Sequence, residues 1–343
     1  MRVAFTLAAA LVSVGLFHAV GWSEEVQPKN VPSSSVVGEA KEVKESRQLV
    51  GLDKELVIEG DHLHDSYFVG AEKIIFKPGA RLIFSDAARK SRNNMIVAAK
   101  TIVMEDQSKP GTITWVRGDG PAASPPQSGQ APGGPHGAGD GAHGGRGSDG
   151  AQGNEGLAGA NAPNLTIFLL EMKGAPPIID LRGQSGGRGG IGQRGGDGGV
   201  GHKGAPASQS MFDCKSGCGQ GGNGGPGGNG GKGGRGGAGG AGGTVTIVSV
   251  PSAFPALLQL IRANVSGGDG AEGGNGGSGG AGGPGGSQGE KALPYCKDEP
   301  GRAGHPGGNG SAGDKGDKGS VGVQGDVFYT TLSEQNFAEL LGN

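Results

Sequence analysis

The residues best suited to chemistry sit in two short stretches that interrupt long glycine runs. Residues 205–218 read APASQSMFDCKSGC, and residues 290–300 read EKALPYCKDEP. Together they hold the chain's three cysteines, Cys214, Cys218 and Cys296, with the rings of Phe212 and Tyr295 and the cations Lys215 and Lys297 beside them. Rings of this kind stack on a sugar or fill a protein pocket, and lysines add charge to such a contact. These four residues are the candidate ligand-binding set. The alternative is that Phe212 and Tyr295 pack on each other as a small cap. An odd cysteine count leaves one thiol over. Cys296 can bridge to Cys214 or to Cys218, and such a bond would lock a region without a hydrophobic core. The spacing Cys214-Lys-Ser-Gly-Cys218 is not that of a thioredoxin motif, and no second pair completes a zinc site.

Other chemical signals are weaker. Arg117-Gly118-Asp119 matches an integrin-type tripeptide, but Gly and Asp at a strand end also make an ordinary turn. His62 and His64 flanked by Asp61 and Asp65 resemble a metal cluster on one strand face, for which a solvated loop is the competing reading. Asp119 and Asp180 sit at strand ends. A polysaccharide-cleaving enzyme would need acidic and basic residues paired in a groove, and no such set recurs. No nucleophile motif is present, and GxGxxG matches inside glycine repeats say nothing about phosphate. The sequence therefore predicts a non-enzyme, with no catalytic residues, metal or cofactor.

The elements that must position the two stretches follow from composition. Seventy-nine of 343 residues are Gly, aromatics make up 4% and hydrophobics 33%, which excludes an ordinary globular core along the whole length. A net charge of −2 gives no pull toward nucleic acid. Residues 1–23 read as a cleaved signal peptide, with Arg2 before an apolar run and small residues near 19–23. A membrane anchor is the alternative, and the mature chain is expected to have no membrane span. Residues 24–50, polar and charged, read as a flexible spacer.

Residues 51–118 carry short β-rich runs at 56–58, 67–69, 73–76, 81–84, 95–97, 101–104 and 112–116, separated by turn signals such as Lys77-Pro78-Gly79 and Lys109-Pro110-Gly111. Regular short strands fit a parallel β-helix-like scaffold, with a small sandwich as second choice. The same unit returns near 164–182 and 244–265, and 326–343 reads as a final strand and C-terminal cap. Between these units, residues 119–325 hold three glycine-rich insertions. The second goes out over 183–204 and back over 219–243; the third goes out over 266–289 and back over 301–325; the first returns over 141–161. From Gly221 to Gly243 every triplet is Gly-Gly-X, whereas 141–159 and 301–325 have Gly at every third place with one extra each, Gly145 and Gly308. A period of three fits the polyproline-II geometry. Two bare faces suit an inner helix and one suits a helix at the margin. The fold expected is mostly β plus polyglycine-II, with three glycine hairpins forming a six-helix polyglycine-II bundle on the scaffold. A collagen-like trimer and a set of disordered linkers are the competing readings.

These Gly-Gly-X tracts joined by turns resemble the polyglycine-II bundle proteins, a group that includes the snow flea antifreeze protein and some phage tail-tip adhesins. They also resemble glycine-rich surface proteins of bacteria. The resemblance covers roughly residues 119–325. It implies ligand recognition either by loops at the distal tips or by one flat face of small side chains meeting ice. Charged X positions such as Arg188, Arg194, Asp197, Lys232 and Arg235 count against the flat face. The function expected is that of a secreted, periplasmic or cell-surface structural or adhesive protein. Its tips would bind a surface glycan, matrix or surface protein. Ice binding, a collagen-like surface trimer and a β-helix polysaccharide-active enzyme are the alternatives. Oligomeric state is left open.

Overall fold

Aliphatic residues alternating in short runs set the scaffold. The computed structural model describes residues 28–50, 53–125, 127–258, 262–296 and 301–341. In chain order the elements are β1 (Lys29–Asn30), α1 (Val37–Val50), β2 (Asp53–Ile58), β3 (Asp61–His64), β4 (Phe68–Phe76), β5 (Arg81–Phe84), α2 (Asp86–Ser91), β6 (Asn94–Met104) and β7 (Thr112–Trp115). They continue with β8 (Asn164–Lys173), β9 (Ile178–Asp180), β10 (Ser208–Gln209), β11 (Cys214–Ser216), β12 (Val245–Ser249), α3 (Phe254–Leu258), β13 (Arg262–Asn264), β14 (Val327–Thr331) and α4 (Glu334–Leu341). A seven-stranded sheet runs β1-β14-β12-β8-β6-β4-β2, and a five-stranded sheet runs β13-β9-β7-β5-β3. Every pairing in both sheets is parallel. From β2 to β9 the chain alternates between the two sheets, so each strand lies beside the one two places earlier.

The alternation of side chains explains where the core lies. In β4, Ala71, Ile74 and Phe76 are buried; in β5, Leu82 and Phe84; in β6, Ile102 and Met104. With Ile113, Leu165, Ile179, Ile247 and Val327 they form one continuous cluster. A second cluster covers the outer face of the larger sheet. Val36 and Val43 at the first helix, and Phe337, Leu340 and Leu341 of α4, pack on Ile96, Phe168 and Val248. Helix α2 opens with Ser85, whose Oγ accepts from the Ala88 N–H at 3.3 Å.

These findings correct the architecture expected from the sequence. The regular structure is two parallel sheets, of seven and five strands, with helices on a sheet face, an α/β-like arrangement. It is not a β-helix-like scaffold carrying a six-helix polyglycine-II bundle. Within 219–243 no residue has helical or strand structure. Strand pairing of aliphatic residues dominates the regular structure, because only those residues supply side chains to bury. The segment 24–50, expected as a flexible spacer, holds β1 and α1 in its described part.

The glycine tracts are extended connections tied to one another by backbone bonds. The triplet Gly230-Gly231-Lys232 shows the rule. The Gly230 N–H donates to the Ser311 carbonyl and that of Gly231 to Gln193, both at 2.8 Å. In return, the Gly231 carbonyl accepts from Gly277 and the Lys232 carbonyl from Gly153, both at 2.9 Å. One triplet thus touches four other tracts. The third residue's N–H has no place in this ladder, which is why proline is tolerated at positions 226 and 284. Their carbonyls still accept, from Gly147 at 2.9 Å and Gly201 at 3.0 Å. The tracts carry the two candidate stretches away from the sheets and hold them together.

Candidate functional site

Residues 208–216 form a small antiparallel ribbon of β10 and β11 closed by a polar turn. Ser210 organises the turn: its N–H donates to the Asp213 carbonyl at 2.8 Å, and its Oγ accepts from the Asp213 N–H at 3.1 Å. The Ser208 and Ser216 hydroxyls meet across the ribbon at 2.8 Å. This turn lifts Met211 and Phe212 outward, leaving them 78% and 81% exposed. The second stretch lies against the ribbon and presents Leu293 and Tyr295, 67% and 46% exposed. Lys215 is exposed beside them. Lys297 lies outside the described residues. Met211 and Leu293 are absent from the sequence-derived set. The signal that would have found them is their type: large apolar side chains in turns far from any aliphatic strand.

Several bonds join the two stretches. Cys214 and Cys296 form a disulfide, with Cα atoms 4.9 Å apart. That settles which of the two candidate partners Cys296 takes. Cys218 is the third cysteine; it is buried, and its Sγ accepts from the Gly301 N–H at 2.8 Å. Gln209 links both stretches with its side-chain amide. Its Nε2 donates to the Leu293 carbonyl at 2.7 Å, and its Oε1 accepts from the Tyr295 N–H at 3.2 Å. The Ala207 N–H donates to the Glu290 carbonyl at 2.8 Å. Lys203 pairs with Glu290, and its hydrogen bond, then its charge, hold that carboxyl below the usual glutamate range. Phe212 and Tyr295 are thus displayed on a surface fixed by one covalent and several polar links. A disulfide of this kind belongs to an oxidising compartment. Among the described residues, no helix is long and apolar enough to cross a membrane.

The remaining sequence-derived candidates fall elsewhere. Arg117 and Asp180 meet at the foot of the glycine tracts, where the Asp180 carboxylate takes Arg182 Nη2 at 2.7 Å and Nε at 2.9 Å, with Arg117 Nη1 at 3.4 Å. Burial pushes this carboxyl up, but the Arg182 hydrogen bond and the charges of Arg117 and Arg182 outweigh it and hold the group below its ordinary range. Gly118, at φ +59°, turns the chain there. The tripeptide 117–119 is therefore part of a turn whose arginine faces Asp180. His62 and His64 lie on β3 with rings stacked 6.2 Å apart, and His64 Nε2 lies 2.9 Å from the Phe68 carbonyl. Among the described residues, no group of three or more His, Cys, Asp or Glu is placed to hold a metal ion.

No protein-family model matches the chain, and no curated protein matches it. One solved structure similar to part of it is the nine-helix polyproline type II bundle antifreeze protein of the springtail Granisotoma rainieri, whose crystal waters match the ice lattice. The two are 27% identical over 54% of this chain and 96% of that one, and at a TM-score of 0.08 the likeness carries no argument about this chain.

Proposed function

We propose that the protein is exported and works as an adhesive, the joined tip of residues 205–218 and 290–296 docking on a protein at a surface. The observation that supports this is the exposure of Met211, Phe212, Leu293 and Tyr295 on one disulfide-pinned tip. Isolated exposed hydrophobics are common, but several large ones on two joined loops mark an interaction site. Pinning reduces the entropy lost when the loops bind. A protein fits better than a glycan because methionine and leucine fill protein pockets, whereas sugars need rings and polar donors. The glycine tracts serve as the stalk, and the oxidising environment implied by the disulfide agrees with export through the apolar N-terminal stretch.

The test is adhesion of the purified protein to a panel of cell surfaces and extracellular matrix. Changing Phe212 and Tyr295 together to Ala should cut retention by about tenfold or more, the loss of 1.4 kcal/mol or more of binding free energy, without lowering the melting temperature. Treating the target with protease should abolish binding, and mild periodate should spare it. Periodate sensitivity would instead point to a glycan. Equal retention of the double variant would remove the tip from the function altogether.

A further inference from the structure

Four asparagines in the glycine tracts are followed directly by glycine: Asn223, Asn229, Asn275 and Asn309. Such a pair can react within the chain, because glycine has no side chain to shield its backbone nitrogen. That nitrogen attacks the asparagine Cγ and closes a succinimide ring. Three of the four pairs are held by hydrogen bonds at both reacting groups. Asn223 Oδ1 accepts from the His305 N–H at 2.9 Å, and the Gly224 N–H donates to the His305 carbonyl at 2.8 Å. Asn229 Oδ1 accepts from the Ser311 N–H at 3.0 Å, and the Gly230 N–H donates to the Ser311 carbonyl. Asn309 Oδ1 accepts from the Gly282 N–H at 2.9 Å, and the Gly310 N–H donates to the Gly280 carbonyl at 2.9 Å. Asn275 differs. It is exposed, and among the described residues neither its side chain nor the Gly276 N–H has a hydrogen-bond partner. Ring closure also turns the asparagine out of its extended conformation. At Asn275 this opens the bond from the Gly192 N–H to its carbonyl, 2.9 Å long. Asn223 and Asn229 carry the equivalent bond, from Gly144 and Gly150, in addition to those at their reacting groups.

We infer that Asn275 is the modification site of the glycine tracts, the first of the four asparagines to deamidate in the folded protein. The Gly276 nitrogen bonds to Asn275 Cγ, and its proton leaves with Nδ2 as ammonia. Water then opens the ring. Cleavage of the bond to Cγ leaves aspartate, and cleavage of the bond to the main-chain carbonyl carbon leaves isoaspartate. Water is the co-reactant, and nothing is oxidised or reduced. The hydrogen bonds select the site, because the other pairs must first break those that hold their reacting groups. The isoaspartate product alters the tract. Its main chain runs through the former side chain and is longer by one methylene. The carbonyl that served Gly192 becomes part of a free carboxylate. The next ladder bond, from the Gly277 N–H to the Gly231 carbonyl at 2.9 Å, is carried out of register. The site lies in a tract and not in the tip, so it does not rest on the adhesive reading.

The experiment is prolonged incubation of the purified full chain at mildly alkaline pH in water enriched in heavy oxygen. Peptide mass spectrometry then counts label at each asparagine and separates aspartate from isoaspartate. Asn275 should convert at least about tenfold faster than Asn223, Asn229 or Asn309, a barrier lower by about 1.4 kcal/mol. In urea, where no bond holds any of the four pairs, the rates should converge. Asn275→Gln, whose longer side chain closes a less favourable ring, should remove the fast phase without changing the melting temperature. Hydrogen exchange of the aged wild-type protein should quicken at Gly192 and Gly277, and that of the aged Gln variant should not. Equal rates at the four sites in the folded protein would overturn the inference, since they would mean that reaction occurs only after unfolding. A faster rate at any of the other three sites would overturn it as well.

Discussion

Gly231 and Gly308 differ in what a single methyl group would meet. A Cβ at Gly231 would lie 1.9 Å from the Ala151 carbonyl oxygen, a backbone atom that can move only with its whole tract. A Cβ at Gly308 would meet nothing within 4 Å. Gly231→Ala is therefore expected to lower the unfolding free energy by about 1–3 kcal/mol from overpacking, with a further loss if the bond to Gln193 opens. Gly308→Ala should be neutral or slightly stabilising, because it restricts the unfolded chain. Lys232→Ala should also change little, since its side chain points outward to Asp317. Urea unfolding of the three variants side by side would show this ranking, and equal tolerance at all three would contradict it. Asp180 offers a second residue-scale expectation. Its carboxyl is held below the ordinary range on balance, so its contribution is present above the unfolded value of about 3.9. That contribution is lost as pH falls through the lower folded value. Asp180→Asn should flatten the acid side of the stability profile below about pH 4. The measurement is the urea midpoint against pH for both proteins, and superimposable profiles after allowing for a constant offset would deny Asp180 this role.

At the scale of elements, Phe168 belongs to the cluster in which the helices meet the larger sheet. It is fully buried among Val43, Ile96 and Phe337. Phe168→Ala should cost roughly 3–5 kcal/mol, read as a lower urea midpoint, with early loss of helical circular dichroism if α1 and α4 detach first. The strand carrying Phe168 was legible in the sequence because five of the six residues 165–170, LTIFLL, are apolar, and so were the runs inside β4, β5, β6 and β7. The helix facing it was not. Six of the fourteen residues in 37–50 are charged, and Ala40 and Val43 are the apolar residues among those described that turn inward, so local composition reads as spacer. Packing on Ile96 and Phe168 supplies what composition lacks. Helix α2 was hidden for a related reason: six residues are too few to show a period. What overturned the architecture was the extent of parallel pairing. Predicted runs at 73–76 and 101–104 proved to be parts of longer strands, β4 and β6, whose joined length appears only once neighbours are in register.

For the whole molecule, stability is divided between two kinds of cohesion, and the disulfide belongs to only one of them. The sheets are held by buried aliphatic side chains, whereas the tracts are held by bonds between backbones, each worth about 0.5–1.5 kcal/mol net. The tip has neither an aliphatic core nor a long ladder, and Cys214–Cys296 closes it across 82 residues of sequence. That the cysteines and rings gather there was readable from the sequence, since these are the residues that interrupt the glycine runs. Which cysteine pairs was not, because Cys214 and Cys218 are too close in sequence to distinguish without coordinates. Reduction of the intact protein should therefore act locally. Hydrogen exchange is expected to quicken at the backbone of residues 207–216 and 292–296, while amides of β4, β6 and β8 keep their protection. The ladder donors Gly230 and Gly231 should stay protected too, because their acceptors, Ser311 and Gln193, lie on tracts that each join a sheet strand at one end, β14 and β9. If reduction instead released β6 and the glycine ladder together, the sheets and tracts would form one cooperative unit closed from the tip. The distal disulfide would then hold the whole fold rather than the shape of the surface that carries Phe212 and Tyr295.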